Sequence, residues 1–200
     1  GERHTEVLAA ERIAPAFLPG LAHLAGEGRL ERLYEISKRL CDSLTFIISV
    51  GAAAVVALNF AFVPLWVGPK FFGGQSLTEM LACFVVTNVI LSSLAEIVFA
   101  AGGVGRIEAM RAVEGLVRVI AQYVMLKWIG IVGIPIGGCV GMLVVSAWYL
   151  PRVAAERLEQ KQSVVYWQIA VSGFRAAVLL ACGGFLGWLL RRNVPDWNWL

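Results

Sequence analysis

Charge is scarce in this sequence. Asp, Glu, Lys and Arg make up 16% of its 200 residues, against about a quarter in an ordinary soluble domain, while 58% are hydrophobic. That balance excludes a water-soluble globular domain and predicts an integral membrane protein. Histidine is nearly missing: neither His4 nor His23 has a metal-ligand partner three or four residues away, so no metal site is expected. Cys41, Cys83, Cys139 and Cys182 lie in separate apolar segments without CxxC or Cys/His spacing, and read as small buried hydrophobes. A basic stripe interleaved with aromatics is lacking too, which leaves no case for a nucleic-acid partner. The opening stretch has no basic n-region and is not expected to be a secretory signal peptide. GERHTEVLAAERIAPAFLPG reads instead as the end of a helix, and NVPDWNWL as a stretch with Trp197 and Trp199 placed as interfacial anchors. The expectation is a piece of a longer protein.

What the sequence does have is long apolar runs separated by short charged connectors. LAHLAGEGRLERLYEISKRLCD alternates acids with Arg29, Arg32, Lys38 and Arg39 and pairs Glu31 with Glu35 and Glu35 with Arg39 at helical spacing. It predicts a water-exposed helical connector on the cytoplasmic side. From Ser43 to Pro69 no charge occurs, enough to cross a hydrocarbon core of roughly 30 Å, and Gly51-Ala52-Ala53-Ala54 offers a face of small residues to a neighbour. VGPKFFGGQS is a short outer turn. A second apolar run, from Met80, ends at the AGGVG breaker with Glu96 about one turn before it. Glu96 has two readings: a carboxylate reaching the interface, or an intramembrane proton or cation site.

The next segment is ambiguous. RIEAMRAVEGLVRVIAQYVMLK sets Arg111, Glu114, Arg118 and Gln122 along one stripe of an otherwise apolar helix. Such a helix can lie on the membrane surface or cross it with the stripe facing a polar cavity. If it crosses, WIGIVGIPIGG is a turn and the next span starts near Ile134; if not, Trp128 to Leu150 is a single span. Counting Lys and Arg gives nine inside against four outside for the turn and ten against four for the single span, so the positive-inside rule does not choose. A last apolar run, Val164 to Leu190, is interrupted near its middle by Arg175, which needs a partner, a polar cavity or a function to offset its burial.

The order of signals resembles the C-terminal half of a polysaccharide-biosynthesis flippase, the Wzx-type branch of the superfamily that also holds lipid II flippases and multidrug and toxin extrusion exporters. The residues that carry the likeness are the Pro-terminated helix with its LAGEGRLERL connector, the PLWVGPKF end of a span, the AAGGVGR breaker, and AVEGLVRVIAQYVMLKWIGIVGIPIGGCVG. The resemblance covers Pro19 to Leu150 and favours the turn. It then implies an all-α polytopic bundle, one lobe of a two-lobe transporter, occupying residues 1–200, with part of a span at 6–19 and full spans at about 43–67, 80–101, 108–127, 134–150 and 164–190. Gly133, Gly137 and Gly141, four residues apart, would let one helix pack closely on a neighbour. The sequence departs from the family pattern at Arg118, where Asn or another small polar residue is usual.

The function that the resemblance implies is alternating-access translocation of a polyprenyl-diphosphate-linked oligosaccharide across the bacterial inner membrane, in partnership with an N-terminal lobe of the same protein. A diphosphate calls for the planar fork of arginine, so Arg118 and Arg175 are the candidate ligands. The alternative for each is a structural ion pair, with Glu114 a ready partner for Arg118. Gln122, Asn59 and Asn88 could bond sugar hydroxyls or simply bond helix to helix. A cation-coupled drug exporter is the competing transporter reading, with Glu96 and Glu114 as its available carboxylates. A membrane enzyme acting on lipid-linked sugars is the reading from another class; no catalytic constellation appears in the connectors, so catalytic residues and cofactors are expected to be none.

Overall fold

The structure, a computed structural model, describes residues 23–102 and 104–193; the partial span expected at 6–19 lies outside them. The described residues form five long helices without a strand: α1 (Leu30–Val67), α2 (Gln75–Ala100), α3 (Val104–Ile129), α4 (Gly133–Arg157) and α5 (Gln162–Asn193). Short 3-10 turns at Pro69–Phe71 and Gly130–Val132 link α1 to α2 and α3 to α4. Among the described residues, four helical stretches are long and apolar enough to cross a membrane: Leu30–Val67, Gln75–Ala100, Gly105–Arg157 and Gln162–Arg192. The third of these contains both α3 and α4.

The connector and the first span of the sequence reading are one element. α1 runs 38 residues without a break, about 57 Å at the rise of an α-helix, nearly twice the thickness of a hydrocarbon core of roughly 30 Å. The shift from charged to apolar at Asp42 and Ser43 therefore changes the medium the helix suits, and leaves its backbone unaltered.

Between α3 and α4 the chain folds back on itself. Gly130, at φ 71°, takes a left-handed conformation that few side chains tolerate, and α4 then returns along α3. The register is set by glycines. A Cβ on Gly133 would strike the Met125 carbonyl, one on Gly137 would lie 2.5 Å from Gln122 Cα, and one on Gly141 2.7 Å from Arg118 Cα. The two backbones touch where α4 has no side chain, the close packing that small residues permit when lipid supplies no hydrophobic drive.

α1 and α5 are parallel, and their register is constant: Asp42 lies beside Ser172, Ala53 against Gly183 and Ala57 against Gly187. The helices follow one another in space as α5, α1, α2, α4, α3, with α5 also touching α2 and α4. One end, the base, gathers the start of α1, the end of α2, the start of α3, the end of α4 and the start of α5. The main buried cluster sits in this half, with Leu33, Val98, Ile107, Met142, Leu150 and Leu158 at its centre. Toward the other end, the tip, α2 and α5 separate around an apolar cavity of about 480 Å³ with Glu79 and Thr87 on its wall.

The outward surface is apolar. Phe46, Ile47, Phe62, Leu65, Leu116, Val119, Phe174 and Phe185 are all exposed. On α3 the arrangement inverts that of a soluble helix, because Val113, Leu116, Val119 and Ile120 face out while Glu114 is buried and Arg118 and Gln122 are half-buried. Exposed tryptophans mark two levels: Trp148 and Trp167 toward the base, Trp66, Trp128 and Trp188 toward the tip. Along α5, Trp167 and Trp188 are about 32 Å apart, the spacing expected of aromatic belts at the two faces of a bilayer.

Candidate functional site

The striped face of α3 closes over a cavity of about 240 Å³ whose wall includes Asn88 and Ser92 of α2, Arg111, Glu114 and Arg118 of α3, and Ser146 of α4. Four-residue spacing puts Glu114 and Arg118 on the same face of α3, one turn apart, and Arg118 Nη2 donates to Glu114 Oε1. The second carboxylate oxygen accepts from Ser146 Oγ on α4. The Arg118 guanidinium reaches across to α2, where it stands 5.8 Å from the centre of the Phe84 ring, within range of a cation–π attraction. Its Nε is buried without a hydrogen-bond partner among the described residues. A guanidinium has five N–H donors, so the pair with Glu114 leaves donors unused on a residue that lines the cavity.

The site is deep. Arg118 lies beside Gly141, about 15 Å along α3 from Trp128 and about 10 Å from the level of Trp148 on α4. In a membrane an ionised group between such levels is costly unless paired or facing a polar space; Arg118 is paired with Glu114 and lines a cavity.

The other expected residues are distributed around this centre. Asn88 shares the cavity with Arg118. Gln122 sits one turn further along α3, its backbone against Gly137 and its amide nitrogen beside Gly138. Asn59 is elsewhere: its Nδ2 donates to Thr78 Oγ1 at 2.8 Å, joining α1 to α2, the helix-to-helix role open to any intramembrane amide. Glu96 is held by Arg111 Nη2 at 2.7 Å, near the base. A second base pair, Arg106 with Glu156 at 3.3 Å, ties α3 to α4.

Arg175 is not near Arg118. It lines a separate cavity of about 270 Å³ between α1 and α5, together with Asp42, Thr45, Ser49 and Ser172. Nor is it at the middle of its helix between the belts: it stands about 12 Å past Trp167 and about 20 Å short of Trp188. The α1–α5 register places it beside Thr45, three residues beyond Asp42.

Two parts of these sites escaped the sequence reading. Ser146 is a single hydroxyl in an uncharged helix, 32 residues from Glu114, and its only signal was being polar where its neighbours are not. Asp42 looked like the last residue of a water-exposed connector, yet it faces a cavity and accepts from Ser172 at 2.8 Å.

Helical stretches of membrane-spanning length with apolar outer faces place the described residues in the class of helical membrane proteins. No protein-family model, curated protein or solved structure matches the chain.

Proposed function

We propose that this chain is the C-terminal lobe of a flippase of the polysaccharide-biosynthesis type, translocating a polyprenyl-diphosphate-linked oligosaccharide across the bacterial inner membrane. The observation that carries the reading is Arg118, held between the two tryptophan levels, paired to Glu114 yet facing a cavity with donors to spare. Arg111, on the same cavity wall, is already paired with Glu96, so the guanidinium of Arg118 is the group that would meet an anion. The inward stripe of α3 supports a crossing helix over a surface helix, since a surface helix would turn the same residues to water.

The chemistry follows from the pair. With no anion in reach, Glu114 neutralises Arg118 and the site costs little to keep in the membrane. An entering diphosphate competes for the guanidinium through charge-assisted hydrogen bonds, while Ser146 continues to donate to Glu114. Asn88 and Gln122 offer amide groups to sugar hydroxyls close by. The site exchanges one anionic partner for another, and release restores the original pair.

Full-length protein in proteoliposomes, supplied with a polyprenyl-diphosphate-linked oligosaccharide, tests this. The flipping rate of Arg118→Ala should fall at least tenfold, and that of Arg118→Lys should be intermediate, because lysine keeps the charge and loses the fork. Unchanged flipping by Arg118→Ala at equal protein content would remove the site from the transport path. The buried Glu114 carboxylate also favours a second reading, a cation-coupled exporter. That reading expects Glu114→Gln to abolish gradient-driven drug efflux and expects no flipping of the diphosphate lipid by the wild type.

A further inference from the structure

The cavity between α1 and α5 contains an acid and a base that are not used on each other. Asp42 and Arg175 both line it, with the hydroxyl-bearing Thr45, Ser49 and Ser172 around them, yet Arg175 forms no ion pair or hydrogen bond with the described residues. Asp42 accepts from Ser172 through Oδ1; that leaves Oδ2 and the remaining lone pair available. Ser49 turns its hydroxyl back to the Thr45 carbonyl at 2.6 Å. The hydroxyls soften the wall without neutralising either charge.

The position of this cavity narrows its ligand. The charged part of α1 runs through Lys38, Arg39 and Asp42, and the parallel register carries it to the level of Ser172, beyond Trp167. The polar boundary of the membrane therefore dips along this groove. Arg175 is three residues further along α5, so its backbone is about 4.5 Å deeper than that of Asp42. The side chains of both parallel helices lean back toward the base, and a long arginine can bring its head group toward the boundary. Beyond the charges the wall turns apolar, with Phe46 and Leu179 on the cavity and Phe46 and Phe174 exposed to the surroundings.

We infer that this cavity is a site for a zwitterionic phospholipid with a primary ammonium, seated from the leaflet at the base. Arg175 takes the phosphate, Asp42 takes the ammonium, and the acyl chains run over Phe46 and Leu179. A phosphate alone would satisfy Arg175 but would stand against the Asp42 carboxylate. A quaternary ammonium would bring the same charge to Asp42 without an N–H to donate. The inference needs only a membrane setting and does not rest on the transport reading.

Native mass spectrometry of the full-length protein tests it. The protein is offered an equimolar mixture of phosphatidylethanolamine, phosphatidylcholine and phosphatidylglycerol with identical acyl chains. The wild type should retain the ethanolamine lipid at least fivefold over the choline lipid, and over the glycerol lipid as well. Asp42→Asn should erase the preference over choline, Asp42→Glu should keep it, and Arg175→Gln should lower retention of all three. Equal retention of ethanolamine and choline lipids by the wild type overturns the proposal, and that comparison involves no variant whose folding could intervene. So does a wild-type preference for the glycerol lipid, which would make the groove a purely cationic surface. An ethanolamine preference that survives Asp42→Asn would also overturn it.

Discussion

At the level of single residues, the Glu114–Arg118–Ser146 group is where sequence and structure meet most closely. The four-residue spacing of Glu114 and Arg118 was legible, because the helix period alone brings the two together. The third member was not, since the partner of a lone serine depends on which helix folds against it. A buried pair also has a stability signature. Removing one partner strands the other, at a cost of about 3–5 kcal/mol, whereas removing both can be nearly neutral. Glu114→Gln and Arg118→Met should therefore each lower the thermal midpoint of the full-length protein in detergent, and the double variant should regain most of the loss. Additive losses in the double variant would mean that the two side chains are not coupled. Arg175 teaches the opposite lesson. Its apparent place at the middle of an apolar run came from counting along α5, while its neighbours are decided by the register with α1, which only tertiary packing fixes.

At the level of helices, glycine placement determines which elements approach closely. Gly133, Gly137 and Gly141 were legible as a small-residue stripe, but the stripe does not name its partner; the return at Gly130 makes that partner α3. Gly51 and Gly137 look alike in the sequence, each in an apolar run, yet a Cβ on Gly51 meets none of the described residues within 4 Å while one on Gly137 runs into the α3 backbone. Gly137→Ala should lower the thermal midpoint and the yield of folded protein. Gly51→Ala should leave both unchanged or slightly raised, as expected when a glycine in a helix is replaced without a clash. Equal tolerance of the two substitutions would show that α4 does not lie against α3 in this register. The extent of α1 is the element least visible from sequence, since charge patterning marks where the medium changes and carries no signal for helix termination.

For the molecule as a whole, membrane character was legible from composition, and the all-helical architecture from the length of the apolar runs. Neither reveals the route of the chain through α3, because both topologies satisfy the charge counts. The structure bears on it through orientation: α3 turns its polar stripe toward α2 and α4 and its aliphatic residues outward. The depth of Arg118, and with it the whole transport reading, depends on α3 and α4 crossing as a hairpin. Single cysteines at Ile131 and Gln162, both exposed, report this directly in full-length protein stripped of Cys41, Cys83, Cys139 and Cys182. Position 131 is preferable to Gly133, where any Cβ would strike the α3 backbone. With an impermeant thiol reagent applied to intact cells and to inverted membrane vesicles, Ile131→Cys should label only in cells and Gln162→Cys only in inverted vesicles. The reverse pattern, Ile131→Cys labelled only in inverted vesicles and Gln162→Cys only in cells, would take α3 out of the membrane and Arg118 out of any transport path.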